Sequence, residues 1–170
     1  MGVGKTTVGK LLLKKLPAGV FLDGDWCWNA SPFVVNEETK AMVLDNITHL
    51  LKNFLSCSVY ENVIFCWVMH EQEILDRILS GLGLLGEQGT AQKTAVLSVS
   101  LLASPEALTE RILADAAAGL RDDRAVERSL ERLKHYDSLN TIKIDVSRLS
   151  AEEAAGKIAA LGAEAAALFR

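Results

Sequence analysis

An α/β fold with a parallel sheet covered by helices on both faces is the class this sequence predicts, and two observations carry it. Residues 62–68 and 94–102 are short continuous apolar runs rich in β-branched residues, the pattern of strands buried on both sides. Amphipathic helical stretches separate these runs, and strand–helix–strand alternation brings successive strands parallel.

The elements follow in order. Residues 5–16 read as a helix stopped by Pro17 and Gly19, and 20–22 as a short strand that ends in Asp23-Gly24-Asp25. Asn36 caps a long helix to Leu55, with Glu37 and Glu38 placed favourably in its first turn. The strand over 62–68 precedes a helix over 71–82, and the glycine-rich stretch 81–89 reads as a loop. After the strand over 94–102, Ser104-Pro105 opens a helix to about Ala118, in the order cap then proline. A charged amphipathic helix with its entry turn spans 121–137 and a strand spans 141–146. Ser150 with Glu153 forms a capping box for the last helix.

Composition narrows the function classes. The 170 residues suit one domain, 1–170, large enough to bury its own core. A net charge of −4 gives no general pull toward nucleic acid or anionic lipid, so neither is expected as a partner. The three cysteines, Cys27, Cys57 and Cys66, are too irregularly spaced for a disulfide framework or a zinc site. No apolar run reaches the roughly 18 residues of a membrane helix, and the N-terminus is unlike a signal peptide. A cytoplasmic monomer or homodimer is the expectation.

The chemistry begins at the N-terminus. Gly4-Lys5-Thr6 opening a helix is the second half of the phosphate-loop motif G-x-x-x-x-G-K-[ST]. Glycines let backbone N–H groups turn toward phosphate oxygens, the helix N-terminus adds its dipole, lysine neutralises the β- and γ-phosphates, and threonine ligates magnesium. Gly2, Val3, Gly4, Lys5, Thr6 and Thr7 are therefore the candidate ATP-binding residues, with Thr6 a candidate metal ligand. The first glycine of the motif and the strand that feeds such loops would both lie ahead of Met1. On this reading Met1 is an internal methionine of a longer natural chain, or marks a start codon placed too late.

Asp23-Gly24-Asp25 follows a strand, at the edge where open α/β sheets place ligands. Here the sequence resembles the small-molecule P-loop kinases, including gluconate and shikimate kinases, which carry D-x-D at this point. The resemblance implies the three-layer, doubly wound sheet of the P-loop NTPase kinase type. In these kinases the strand ahead of the loop is the central one, so the sheet should have a gap. It also implies ATP and Mg2+ as cofactors, with Asp23 as base or metal support and Asp25 on the acceptor. Trp26, Trp28, Asn29 and Phe33 come next, either as an acceptor pocket or as rings that staple the loop to the core. His70, beyond the next strand, points to the same ligand edge, although a lone histidine there is more often structural. That strand ends without the aspartate of a Walker B motif, which leaves metal support to Asp23.

Arg121, Asp123, Arg132, Leu133 and Tyr136 match the lid pattern R-x-D-x8-R-L-x-x-Y of nucleoside monophosphate kinases. By that resemblance Arg121 and Arg132 clamp the transferring phosphoryl group, Arg111 stacks on adenine, and the turn at Val146 and Ser147 contacts adenine. Pairs of opposite charge three and four residues apart offer a plainer account of the same helix. Asp115 stands where a second arginine is usual, and the lid, about 115–125, is short. The long second helix carries only Lys40 and Lys52 as cations, which favours a neutral hydroxyl acceptor over a nucleoside monophosphate. Lys143-Ile144-Asp145 lacks the asparagine of a guanine-reading motif, so a GTPase is rejected. The reading is a kinase that moves the γ-phosphoryl group of ATP to a small-molecule hydroxyl: a nucleoside, a sugar acid or similar. The alternative is an inactive nucleotide-binding or regulatory protein with the kinase fold.

Overall fold

The structure, a computed structural model, describes residues 2–85, 94–119 and 124–167. Its order is α1 (Lys5–Lys15), β1 (Gly19–Asp23), a 3-10 turn (Gly24–Trp28), α2 (Glu37–Ser56), β2 (Asn62–Cys66), α3 (Gln72–Gly81), β3 (Val99–Leu102), α4 (Pro105–Ala117), α5 (Ala125–Leu133), β4 (Ile142–Asp145) and α6 (Ala151–Ala167). Local signals explain the boundaries. The Asn36 side chain accepts from the Thr39 N–H at 2.8 Å, and the Thr39 hydroxyl in turn accepts from the Asn36 N–H. Ser104 caps α4 with Pro105 at its first position. The Ser150–Glu153 box forms reciprocally at the start of α6.

The four strands form two parallel pairs, β1 with β2 and β3 with β4. Among the described residues no ladder joins the pairs. Between them lies a cavity of about 990 Å³, lined by all of β2 on one side and by Val99–Leu101 of β3 with the residues before it on the other. This is the gap expected of a sheet without its central strand.

Alternation along the strands sets the layers. Phe21 faces α1 closely enough that a Cβ on Gly9 would overlap its ring, while its neighbour Leu22 packs with Val43, Ile47, Leu51 and Ile78 of α2 and α3. Ile64 of β2 packs toward the α1 side, and Val63 and Phe65 toward α2 and α3. The β1–β2 pair is thus sandwiched between helices, as the sequence predicts. The other core joins α1, α4, α5 and α6 through Val8, Leu12, Leu108, Ile112, Ala125, Ala154 and Ala155, with Ile144 from β4.

Three boundaries differ from the sequence reading. Residues 94–98 are not strand, because β4 offers partners only from Ile142, whose N–H reaches back to the Ser98 carbonyl at 2.9 Å. β2 stops at Cys66, where its partner β1 ends at Asp23. The charged helix is shorter than 121–137, since turns close it after Leu133 with His135 and Tyr136 donating to the Arg132 and Leu133 carbonyls. Residues 86–89 of the expected 81–89 loop, and residues 120–123 of the lid, lie outside the described residues.

Candidate active site

The site is built at the C-terminal ends of β1 and β2 and the N-terminus of α1. Gly2 and Gly4 have φ of 80° and 86°, values that side chains disfavour, so the loop that leads into α1 requires glycine at both points. Among the described residues a Cβ on Gly4 would meet nothing within 4 Å, whereas one on Gly2 would overlap Ile112 of α4. Among the described residues no side chain caps α1, and no acidic residue occupies its first turn. Its first N–H groups and its dipole are therefore arranged for an anion.

Asp23, 5% exposed, is the centre of the arrangement. Its Oδ2 accepts from the Thr6 hydroxyl at 2.6 Å, across 17 residues of sequence, and its Oδ1 accepts from the Asp25 N–H at 3.1 Å. The two residues expected to hold a metal thus touch each other. A hydroxyl and a carboxylate are hard oxygen donors, which suits Mg2+ held largely by nucleotide phosphates and water. Among the described residues no group of three His, Cys, Asp or Glu side chains forms a self-sufficient metal site.

Cys66 ends β2 directly opposite Asp23 in the register. Burial and the neighbouring Asp23 carboxylate push its thiol up to about 12, against a smaller opposing pull from Lys5. This places the Lys5 charge close to the same point. Cys27 is also raised, by burial first and then by Asp23. At pH 8 Cys66 is expected to react with iodoacetamide at least about a hundredfold more slowly than a free cysteine, because the thiolate is the nucleophile. Mass-spectrometric labelling of the native protein checks this.

Trp67, next along, donates from Nε1 to the Asp25 carboxylate at 3.1 Å. Neither Cys66 nor Trp67 was distinguishable in the sequence, where both fall inside an apolar run. Their place beside the acidic pair depends on where β2 stops.

The aromatic segment divides. Trp26, exposed, meets Phe21 of β1 edge-on with centroids 5.5 Å apart. Trp28 packs on the α2–α3 core and against Phe33, centroids 5.0 Å apart. Asn29 is exposed after the turn. Trp28 is thus anchored on the core, while Trp26 and Phe33 both keep exposed rings.

A second cluster gathers the residues expected at adenine. The Arg111 guanidinium donates to the carbonyls of Val146 at 2.6 Å and Ser147 at 3.3 Å. The Ser147 N–H and hydroxyl both bind the Asp145 carboxylate, which holds that carboxyl below its usual range, and the Ser147 hydroxyl accepts from the Ser104 N–H. Arg111 adjoins Ile112, the side chain under Gly2, which ties this cluster to the phosphate loop.

His70 lies edge-on to His135, centroids 5.8 Å apart, with its Nδ1 buried and lacking a hydrogen-bond partner among the described residues. Burial lowers its pKa, and the nearby Arg132 charge lowers it further, so the imidazole is neutral at pH 7. The same Arg132 charge acts on Tyr136, whose pKa burial raises. The Arg132 charge is therefore near His70, in the loop after β2. Arg121 lies outside the described residues.

A structure of the tunicamycin resistance protein of Deinococcus radiodurans superposes with a TM-score of 0.67 at 20% identity, covering 94% of this chain and 89% of that one. A candidate kinase from Chloroflexus aurantiacus superposes with a TM-score of 0.57 at 16% identity, covering 96% and 91%. No curated protein matches the sequence. Identities this low speak to the fold alone, which is the P-loop kinase type. No helix among the described residues is long and apolar enough to cross a membrane. Residues 1–132, bearing the phosphate loop, the acidic pair and Arg111, match the AAA domain family, and with that match the chain belongs to it.

Proposed function

We propose that this chain transfers the γ-phosphoryl group of ATP to a hydroxyl of a small molecule, acting as a monomer or homodimer. The observation that carries the reading is the 2.6 Å bond from Thr6 to Asp23, which joins the phosphate loop to the acidic turn in one centre. Gly2 to Thr7 would cradle the phosphates, with the Lys5 charge on the β- and γ-oxygens. Thr6 and Asp23 would hold Mg2+, which supplies charge neutralisation on the phosphates. The acceptor hydroxyl, held by Asp25, attacks the γ-phosphorus while the bond to the β–γ bridging oxygen breaks, and ADP leaves with that electron pair. Asp23 accepts the hydroxyl proton. Arg132 and Arg121 stabilise charge on the equatorial oxygens, while Arg111, Val146 and Ser147 take the base.

A second reading, nucleotide binding without turnover, has its own support. Cys66 stands at the end of β2 where a carboxylate would assist the metal, and among the described residues no ladder joins the two strand pairs. Calorimetry with MgATP, followed by an ADP-release screen over nucleosides, sugars, sugar acids and polyols, separates the two. Acceptor-dependent ADP release is the expected result. Binding with no turnover on any hydroxyl would establish the second reading, and no binding would overturn both.

A further inference from the structure

Asp25 is exposed, and an exposed carboxylate on a turn ordinarily samples several rotamers. Here it is held from two directions. Its N–H is bound to Asp23, and its Oδ1 receives the indole N–H of Trp67, 42 residues later. The ring is itself fixed. It packs against the α2–α3 core and lies so close to Gly24 that a Cβ there would come within 2.6 Å of Cδ1 and 2.8 Å of the Trp67 Cβ. Gly24 thus lets the acidic turn sit on the indole, and the indole reaches past it to the carboxylate. Only an indole among apolar side chains offers both a flat face for the turn and an N–H donor at its rim.

We infer that Trp67 is a positioning residue for acceptor recognition: it locks one oxygen of Asp25, so that the other is presented in a fixed direction to the acceptor hydroxyl. This rests on the proposed kinase reading, in which Asp25 binds the acceptor. A charge-assisted bond of this kind adds geometric definition as well as affinity, and its loss should act on acceptor binding rather than on the nucleotide.

Two measurements on the full chain test it. The protein has three tryptophans, so a proton–nitrogen correlation spectrum shows three indole N–H signals, and Trp67→Phe identifies one by its loss. Asp25→Ala should move that signal and accelerate its solvent exchange while leaving the signals of Trp26 and Trp28 in place. An unmoved signal overturns the inference and leaves the kinase reading standing.

The second measurement is kinetic, with the best acceptor from the hydroxyl screen. Trp67→Phe, which keeps the ring against Gly24, should raise the acceptor KM about tenfold with kcat within about threefold, the split of a lost ground-state contact. MgATP affinity should be unchanged. Combined with Asp25→Ala, Trp67→Phe should add almost nothing, since the two act through one contact. An unchanged KM or fully additive effects would overturn the inference. Failure of the wild-type chain to bind MgATP or to turn over any acceptor would instead overturn the reading beneath it, whatever the spectrum shows.

Discussion

Lys5→Ala is expected to weaken MgATP binding by about a hundredfold or more, the scale of losing a charge-assisted contact to the phosphates. The substitution should not unfold the protein. Lys5 is not part of either hydrophobic core, and alanine is the best helix former for the first turn of α1. Lys5→Arg should recover only part of the affinity, because a planar fork cannot replace a compact point charge inside a tight loop. An internal control comes from Cys66. Lys5 lowers the pKa of that thiol, so its removal should leave Cys66 even less reactive toward iodoacetamide. Calorimetry reads the affinity and labelling reads the local field. Unchanged MgATP affinity together with altered labelling would show that Lys5 is where the structure puts it but holds no phosphate.

Much of the layered fold was legible because its signals are local and repeated. The Asn36 cap, Ser104–Pro105 and Ser150–Glu153 mark helix starts, and apolar runs mark the strands. The space between the strand pairs was expected too, from the resemblance of Gly4-Lys5-Thr6 to a phosphate loop that a central strand feeds in P-loop kinases. Less legible were features set by pairing. Residues 94–98 look like strand by composition, yet a strand needs a partner, and β4 supplies one only from Ile142 onward. The same limit hid Cys66 and Trp67, whose roles depend on β2 ending level with Asp23. In the site, the residues that the kinase resemblance groups, Thr6 with Asp23 and Arg111 with Val146 and Ser147, come together. The aromatic segment had no period to say which ring faces where. Its rings are distributed by the packing of Phe21 and the α2–α3 core, which no local pattern encodes.

Asp23→Asn should lower turnover by about two orders of magnitude or more, the scale of a lost general base or oriented metal ligand. Binding of MgATP without acceptor should change far less. The substitution is informative because asparagine can keep the geometry while losing the charge. Its carbonyl oxygen can still accept the Asp25 N–H, now 3.1 Å from Oδ1, and its amide can donate to the Thr6 hydroxyl, reversing the direction of the 2.6 Å bond. The turn and the start of α1 therefore stay joined, and what is removed is the negative charge that accepts a proton and supports the metal. Cys66 again reports whether this happened as described. The Asp23 carboxylate raises the thiol pKa, so Asp23→Asn should lower it and speed alkylation, opposite in sign to Lys5→Ala. Faster labelling with normal turnover would mean that the charge is gone and catalysis does not need it, which would remove Asp23 from the chemistry. Faster labelling with lost turnover and retained MgATP binding separates the catalytic role of this carboxylate from its structural one, because the hydrogen bonds remain and only the charge has changed.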